Sequence, residues 1–151
     1  MKKMGICLIA ILFSFFCFTD AFAQRGMKWQ GSGNWGPGSP YNRMFDLKTL
    51  GTITGGVVRV ELSALQKGMS PGVHLIIKTS NETIPVHLGP AWYLERQDIK
   101  IEPNETVEVT GSRIVFEGKP AIIASEVKTK DGIMKLRDEN GFPVWSGWRR
   151  R

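Results

Sequence analysis

A mainly β fold with one short helix set among its strands is predicted by three features of the sequence. Aliphatic and β-branched residues alternate with polar ones at a period of two over several runs. Turn residues separate those runs, and only Ala91 to Gln97 (AWYLERQ), after the breaker Gly89-Pro90, reads as helix.

The central runs, Val73 to Thr79 and Thr83 to Leu88, form a hairpin whose turn is Ser80-Asn81, a dipeptide that tolerates the left-handed region. A two-residue turn places Val73 opposite Leu88, Leu75 opposite Val86 and Ile77 opposite Ile84, which makes one face aliphatic and inward. The other face pairs Lys78 with Thr83, Ile76 with Pro85 and His74 with His87. The only two histidines of the chain are therefore expected as cross-strand partners on the outside.

Before this hairpin, Val58, Val60 and Leu62 alternate with Arg59 and Glu61. Ile53 falls out of phase across Gly55-Gly56, as a β-bulge there would produce in a long, bent first strand. After the helix, Glu105 to Phe116 turns Val107 and Val109 inward and kinks at Gly111. A four-residue turn, Glu117-Gly118-Lys119-Pro120, then returns the chain along Ala121 to Val127 and sets Ile114 opposite Ile123. Asp131-Gly132, a type I′ signal, carries it into a last strand, Ile133 to Arg137. The order β-β-β-α-β-β is that of an OB-fold, a small Greek-key barrel, here with an extra C-terminal hairpin strand. An open β-sandwich would leave the helix without a natural place.

The barrel is expected over residues 49–138, between two flanks rich in glycine and aromatic residues. Residues 24–48 carry Trp29, Trp35, Tyr41 and Phe45 among glycine, proline and serine; residues 139–151 carry Trp145, Trp148 and three terminal arginines. Burying large aromatic surface is the commonest way to order such a segment, so the N-terminal arm should dock on its own domain, and the two flanks could pack together. Residues 1–23 have the form of a secretory leader: Lys2-Lys3, the apolar run Ile6 to Phe18, then Ala21-Phe22-Ala23. Cleavage near Ala23 would leave a periplasmic or secreted chain with no later run of the roughly 20 apolar residues that a membrane helix needs.

Cys7 and Cys17 both fall in the leader, so the remaining chain offers no disulfide, thiolate nucleophile or cysteine-held metal. Removing residues 1–23 leaves 18 basic and 13 acidic side chains, with the surplus concentrated late in the chain. That distribution suits an anionic partner, although solubility alone would account for it. Enzyme signatures are missing: there is no G-x-S-x-G, H-E-x-x-H, P-loop or C-x-x-C-H motif.

The stretches GPGSPYNRMFD, GVHLIIKT, HLGPAWYLE, VTGSRIVFEGKPAII and LRDENGFPVWSGW resemble a family of small exported bacterial OB-fold-like proteins, over nearly the whole chain beyond the leader. The first strand, GTITGGVVRVEL, is similar to exported bacterial OB-fold proteins as a class. The resemblance implies a periplasmic or extracellular OB-like domain and brings no catalytic residue or substrate with it.

Two candidate sites follow. Opposed imidazoles on antiparallel strands can share a Zn, Cu or Ni ion, and Glu61 would be the third donor if the first strand aligns Glu61 with His74 and Leu62 with Val73. A ligand-free pair of partly exposed histidines is the plain alternative. The second site is aromatic and basic: Trp35, Tyr41, Trp92, Trp145, Trp148 and Arg137 are the side-chain types that stack and ion-pair ligands on an OB barrel. Nucleic acid is not an expected partner outside the cytoplasm, so an envelope protein, a peptide or a polysaccharide is expected instead. The sequence thus reads as an exported, non-enzymatic binding module, with a small metal-handling protein centred on His74 and His87 as the alternative.

Overall fold

The computed structural model describes residues 33–146, so the expected leader, Trp29, Trp148 and Arg149 to Arg151 lie outside the described residues. Six strands follow in order: β1 (Leu50–Ser63), β2 (Gly72–Lys78), β3 (Thr83–Pro90), β4 (Thr106–Phe116), β5 (Lys119–Thr129) and β6 (Gly132–Lys135). One short helix, α1 (Ala91–Leu94), sits between β3 and β4. The sheet order is β3-β2-β1-β4-β5-β6, and a parallel pairing of β3 with β5 (Val86 with Ile122, His87 with Ile123) closes the first five strands into a barrel. β6 extends β5 as the extra hairpin strand. This is the small OB-like barrel that the order of elements implies. Among the described residues no helix is long and apolar enough to cross a membrane.

The closure depends on β1, whose first half pairs with β4 and whose second half pairs with β2. A strand can serve two partners in this way only if it bends, and the bend is a bulge at Val58 rather than at Gly55-Gly56. That bulge resets the phase so that Val57, opposite Ile77, and Val60, opposite Leu75, share the interior face; only Val57 is buried, and Val58, Val60 and Leu62 are exposed where β1 has parted from β4. β4 shows a similar change of phase. It buries Val107 and Val109 before Gly111 and Ser112 and Ile114 after it, opposite a bulge that skips Ser125 on β5.

The central hairpin keeps its expected register from Lys78↔Thr83 to His74↔His87, then slips at Leu88 so that Val73 faces Gly89. Leu75, Ile77, Ile84 and Val86 form the barrel interior, each at most 1 % exposed. Three turns differ from expectation. Ser80 and Asn81 do not take left-handed φ; instead the Thr79 hydroxyl accepts the amides of Asn81 and Glu82. The Thr129 hydroxyl likewise accepts the Asp131 amide, which puts the turn at Lys130-Asp131 and makes Gly132 the first residue of β6. Glu117 and Gly118 both have positive φ, so their turn holds two residues and Ile114 faces Ala121, not Ile123.

α1 is shorter than the run Ala91 to Gln97, and its buried residues are Ala91, Tyr93 and Leu94, with Trp92 only partly covered. Tyr93 is its aromatic anchor; the ring centroid lies 5.5 Å from that of Trp145.

Candidate functional site

The outer face of the central hairpin is covered. Residues that alternate with the interior ones, Gly72 and His74 on β2 and His87 and Gly89 on β3, lie beneath an aromatic layer supplied by both flanks. Two glycines make the seats. A Cβ on Gly72 would come within 2.4 Å of the Trp35 ring, and one on Gly89 within 2.8 Å of the Trp145 ring, so neither indole could lie flat on a larger residue. The two indoles meet edge to face at 6.2 Å, and Tyr41 packs against Trp35 at 5.1 Å.

Hydrogen bonds fix this layer in place. The Trp35 indole N–H donates to the Ser70 carbonyl, the Trp145 indole N–H donates to the Trp35 carbonyl at 2.8 Å, and Asn42 donates to the carbonyls of Trp35 and Gly36. The arm thus docks on its own domain and meets the C-terminal flank there.

Beneath the layer His74 and His87 face each other as aligned, with ring centroids 5.0 Å apart, but both are 3 % exposed. Their expected place on an open face is corrected by the arm, which the alternation of the hairpin alone cannot reveal. The Ser63 carbonyl can only accept, so the His74 Nε2 that meets it at 3.1 Å carries the proton. Its Nδ1 is then a buried lone pair with no hydrogen-bond partner. His87 Nδ1 bonds the Tyr41 hydroxyl at 3.0 Å, and Phe116 closes the far side at 5.3 Å.

Burial lowers the pKa of both histidines, taking His87 to about 3 with a further push from the His74 charge; for His74 the Ser63 carbonyl and Glu61 oppose the shift. Burial also raises the Tyr41 pKa, so the phenol stays protonated.

Glu61 does pair with His74 across β1 and β2, and Leu62 with Val73, but the Glu61 carboxylate is held 2.6 Å from Arg59 Nε. Among the described residues no three His, Cys, Asp or Glu side chains are placed to hold a metal ion. His74, His87 and Glu61 therefore do not assemble as a coordination set, because the imidazoles are turned into the aromatic layer and the carboxylate is turned to Arg59.

Of the aromatic and basic candidates, Trp35, Tyr41 and Trp145 are interior and present no open ring face to a ligand. Arg137 is different in kind. It is 5 % exposed, yet its guanidinium lines two adjoining clefts of about 400 and 560 Å³ between the arm and the C-terminal flank. It stacks on Phe45 at 4.8 Å and Trp145 at 5.6 Å and donates to Asn42 Oδ1 and the Gly141 carbonyl, while Nε has no partner. Among the described residues no carboxylate forms an ion pair with it. Burial lowers its pKa to about 10, far above neutrality, so the charge persists. The walls also hold Phe45, Leu47, Lys48 and Phe142, with the carboxylates Asp46 in the smaller cleft and Glu126, Asp138 and Glu139 in the larger, and no sequence motif singles them out.

No curated protein sequence matches the chain. The profile of the MamS/MamX magnetosome protein family matches residues 49–134, which run from the start of β1 into β6. The match covers the whole barrel and both histidines but neither flank of the Arg137 clefts, and since it spans more than half of the 151 residues, the chain belongs to the MamS/MamX magnetosome protein family.

Proposed function

We propose that this chain is an exported, non-enzymatic binding module that holds an acidic segment of a partner protein against Arg137. The leader-like residues 1–23 support export, and the missing catalytic motifs support a binding role. The observation that carries the reading is the unpaired charge of Arg137. A buried guanidinium is costly without a counter-charge, and neutral acceptors such as Asn42 and Gly141 leave most of that cost standing. A carboxylate arriving through the smaller cleft, whose lining has one acidic side chain, Asp46, against Glu126, Asp138 and Glu139 in the larger, would supply the missing charge in a setting where guanidinium–carboxylate bonds are strong.

Lys48 at the rim of the smaller cleft offsets Asp46 there, so Arg137 leaves that cleft with a surplus positive charge, and Phe45, Leu47 and Phe142 give its walls apolar area. That combination favours a peptide carrying an acidic residue beside an apolar one over a uniformly polar sugar chain. The usual ligand face of an OB barrel, the outer side of β2 and β3, is closed here by Trp35, Tyr41 and Trp145. A ligand is therefore expected at the smaller cleft instead.

Thermal shift and calorimetric titration with a panel of acidic, neutral and basic decapeptides test the reading. Acidic peptides should stabilise the protein and bind more weakly with added salt. Lys48→Glu, a change at an exposed position, should cut that affinity on the order of tenfold without altering the fold. Equal responses to all three peptide classes, or an unchanged affinity in the Lys48 variant, would remove it.

A further inference from the structure

The second half of β1 is an open sheet edge. Its pairing with β4 ends at Gly56, and the connector before β4 holds it only at Val57, whose N–H donates to Glu105 and whose carbonyl accepts from Asn104. From Arg59 to Ser63, among the described residues, the backbone pairs with β2 alone. Edges of this kind are normally blunted by lysine, proline or a covering loop, because their free N–H and C=O groups invite another strand. Here the edge reads Val58-Arg59-Val60-Glu61-Leu62, with Val58 45 %, Val60 39 % and Leu62 64 % exposed.

That pentapeptide is complementary to its own reverse. Laid antiparallel to a second copy about Val60, it sets Val60 opposite Val60, each Arg59 opposite the partner's Glu61, and each Val58 opposite the partner's Leu62. Opposite charges and paired aliphatic residues are what an antiparallel ladder requires at those positions, and a two-fold axis through Val60 closes the contact without leaving a further edge. Val60 also lines an apolar groove of about 200 Å³ with Val73, Leu75, Leu88, Ile101 and Met134, so the second Val60 would enlarge an apolar surface already present.

We infer that the protein forms a symmetric dimer through antiparallel pairing of β1 edges about Val60. Within one chain Arg59 and Glu61 bond each other at 2.6 Å on an exposed surface, a contact of little value that is easily exchanged for two between chains. No residue from Arg59 to Leu62 lines the Arg137 clefts, so the dimer does not depend on what binds there.

Sedimentation equilibrium of the purified chain over a range of concentrations, with circular dichroism as the control for folding, tests this. Wild type should show a reversible monomer–dimer equilibrium. Arg59→Glu and Glu61→Arg each place like charges opposite one another twice in the dimer, and each should weaken it on the order of tenfold. Mixing the two single variants should restore association as a heterodimer, because the two carboxylates on the edge of one chain then lie opposite the two guanidiniums on the edge of the other. Mixing cannot restore the bond within a chain, so recovery isolates the contact between chains. A monomer at every concentration, a dimer indifferent to both charge changes, or single variants that fail to recover on mixing would each overturn the proposal.

Discussion

Acid should loosen this protein through His87, and the size of the effect follows from its burial. In the unfolded chain a histidine takes a proton near pH 6.5; in the folded chain His87 resists protonation until about pH 3. Between those values the unfolded state binds more protons than the folded state, so stability falls as pH falls through 6.5 and stops falling below about 3. Above about pH 7.5 the imidazole is neutral in both states and contributes no pH dependence. Each pH unit well inside the window is worth about 1.4 kcal/mol and about half of that at pH 6.5 itself, so His87 alone should cost about 2 kcal/mol between pH 6.5 and 4.5 and about 3 kcal/mol from pH 7.5.

Repulsion from His74 is the secondary cause, whereas opposed histidines on an open face would have made it the main one; loss of water around the ring dominates because the arm covers it. His87→Asn keeps a polar atom near Nδ1 for the Tyr41 hydroxyl and cannot titrate. Urea denaturation of wild type and this variant at pH 7.5, 6.5, 5.5 and 4.5 should give curves that diverge by about 3 kcal/mol at the acid end, the variant being the flatter. Parallel curves would mean that His87 exchanges its proton freely with water and that the aromatic layer is not closed.

Two further substitutions probe the same architecture. Gly72→Val drives a branched side chain into the Trp35 ring at a position whose backbone tolerates any residue. The near-ultraviolet circular dichroism should change while the far-ultraviolet spectrum holds, with a stability loss of about 1–3 kcal/mol. An unchanged near-ultraviolet spectrum would place Trp35 elsewhere. Val86→Asp puts a carboxylate among Leu75, Ile77 and Ile84 at a fully buried position, and the cost of several kcal/mol against a total of roughly 5–15 should leave the chain unfolded by circular dichroism. A folded Val86→Asp protein would reverse the two faces of the hairpin.

The parts of the fold legible in the sequence are those decided by neighbours along one strand pair. Leu75, Ile77, Ile84 and Val86 select their own face, and once they do the register of His74 with His87 and of Glu61 with His74 follows. Local competition decides the turns that depart from expectation. A threonine hydroxyl that captures the amide two residues on, as Thr79 and Thr129 do, overrides the Asp131-Gly132 signal by offering the backbone a nearer partner. Val58, Val60 and Leu62 keep perfect alternation in the sequence and are still exposed: Val58 is the bulged residue, and Val60, although it pairs with interior Leu75, lies where β1 has left β4 and no strand covers its other side. Arg137 is legible as a basic residue near aromatic ones, but its burial without a counter-charge depends on Asn42, Phe45 and Gly141, which no periodicity connects.

The histidines themselves carry a signal that pattern reading passes over. A strand that reads Gly72-Val73-His74 beside one that reads His87-Leu88-Gly89 has lost its side chains on the outer face just where two tryptophans are available in the flanks. An outer face meant for water gains nothing from two glycines, which weaken strands; a face meant to receive an indole requires them. The same reasoning explains why the face closed by the arm lies inside the family match while the residues that close it, 33–48 and 136–146, lie outside. A barrel supplies the seats, and its flanks decide whether the seats are filled from within the chain. Where they are filled, as here, the outer side of β2 and β3 is given over to folding, and the flanks meet over Arg137 without a carboxylate paired to it among the described residues.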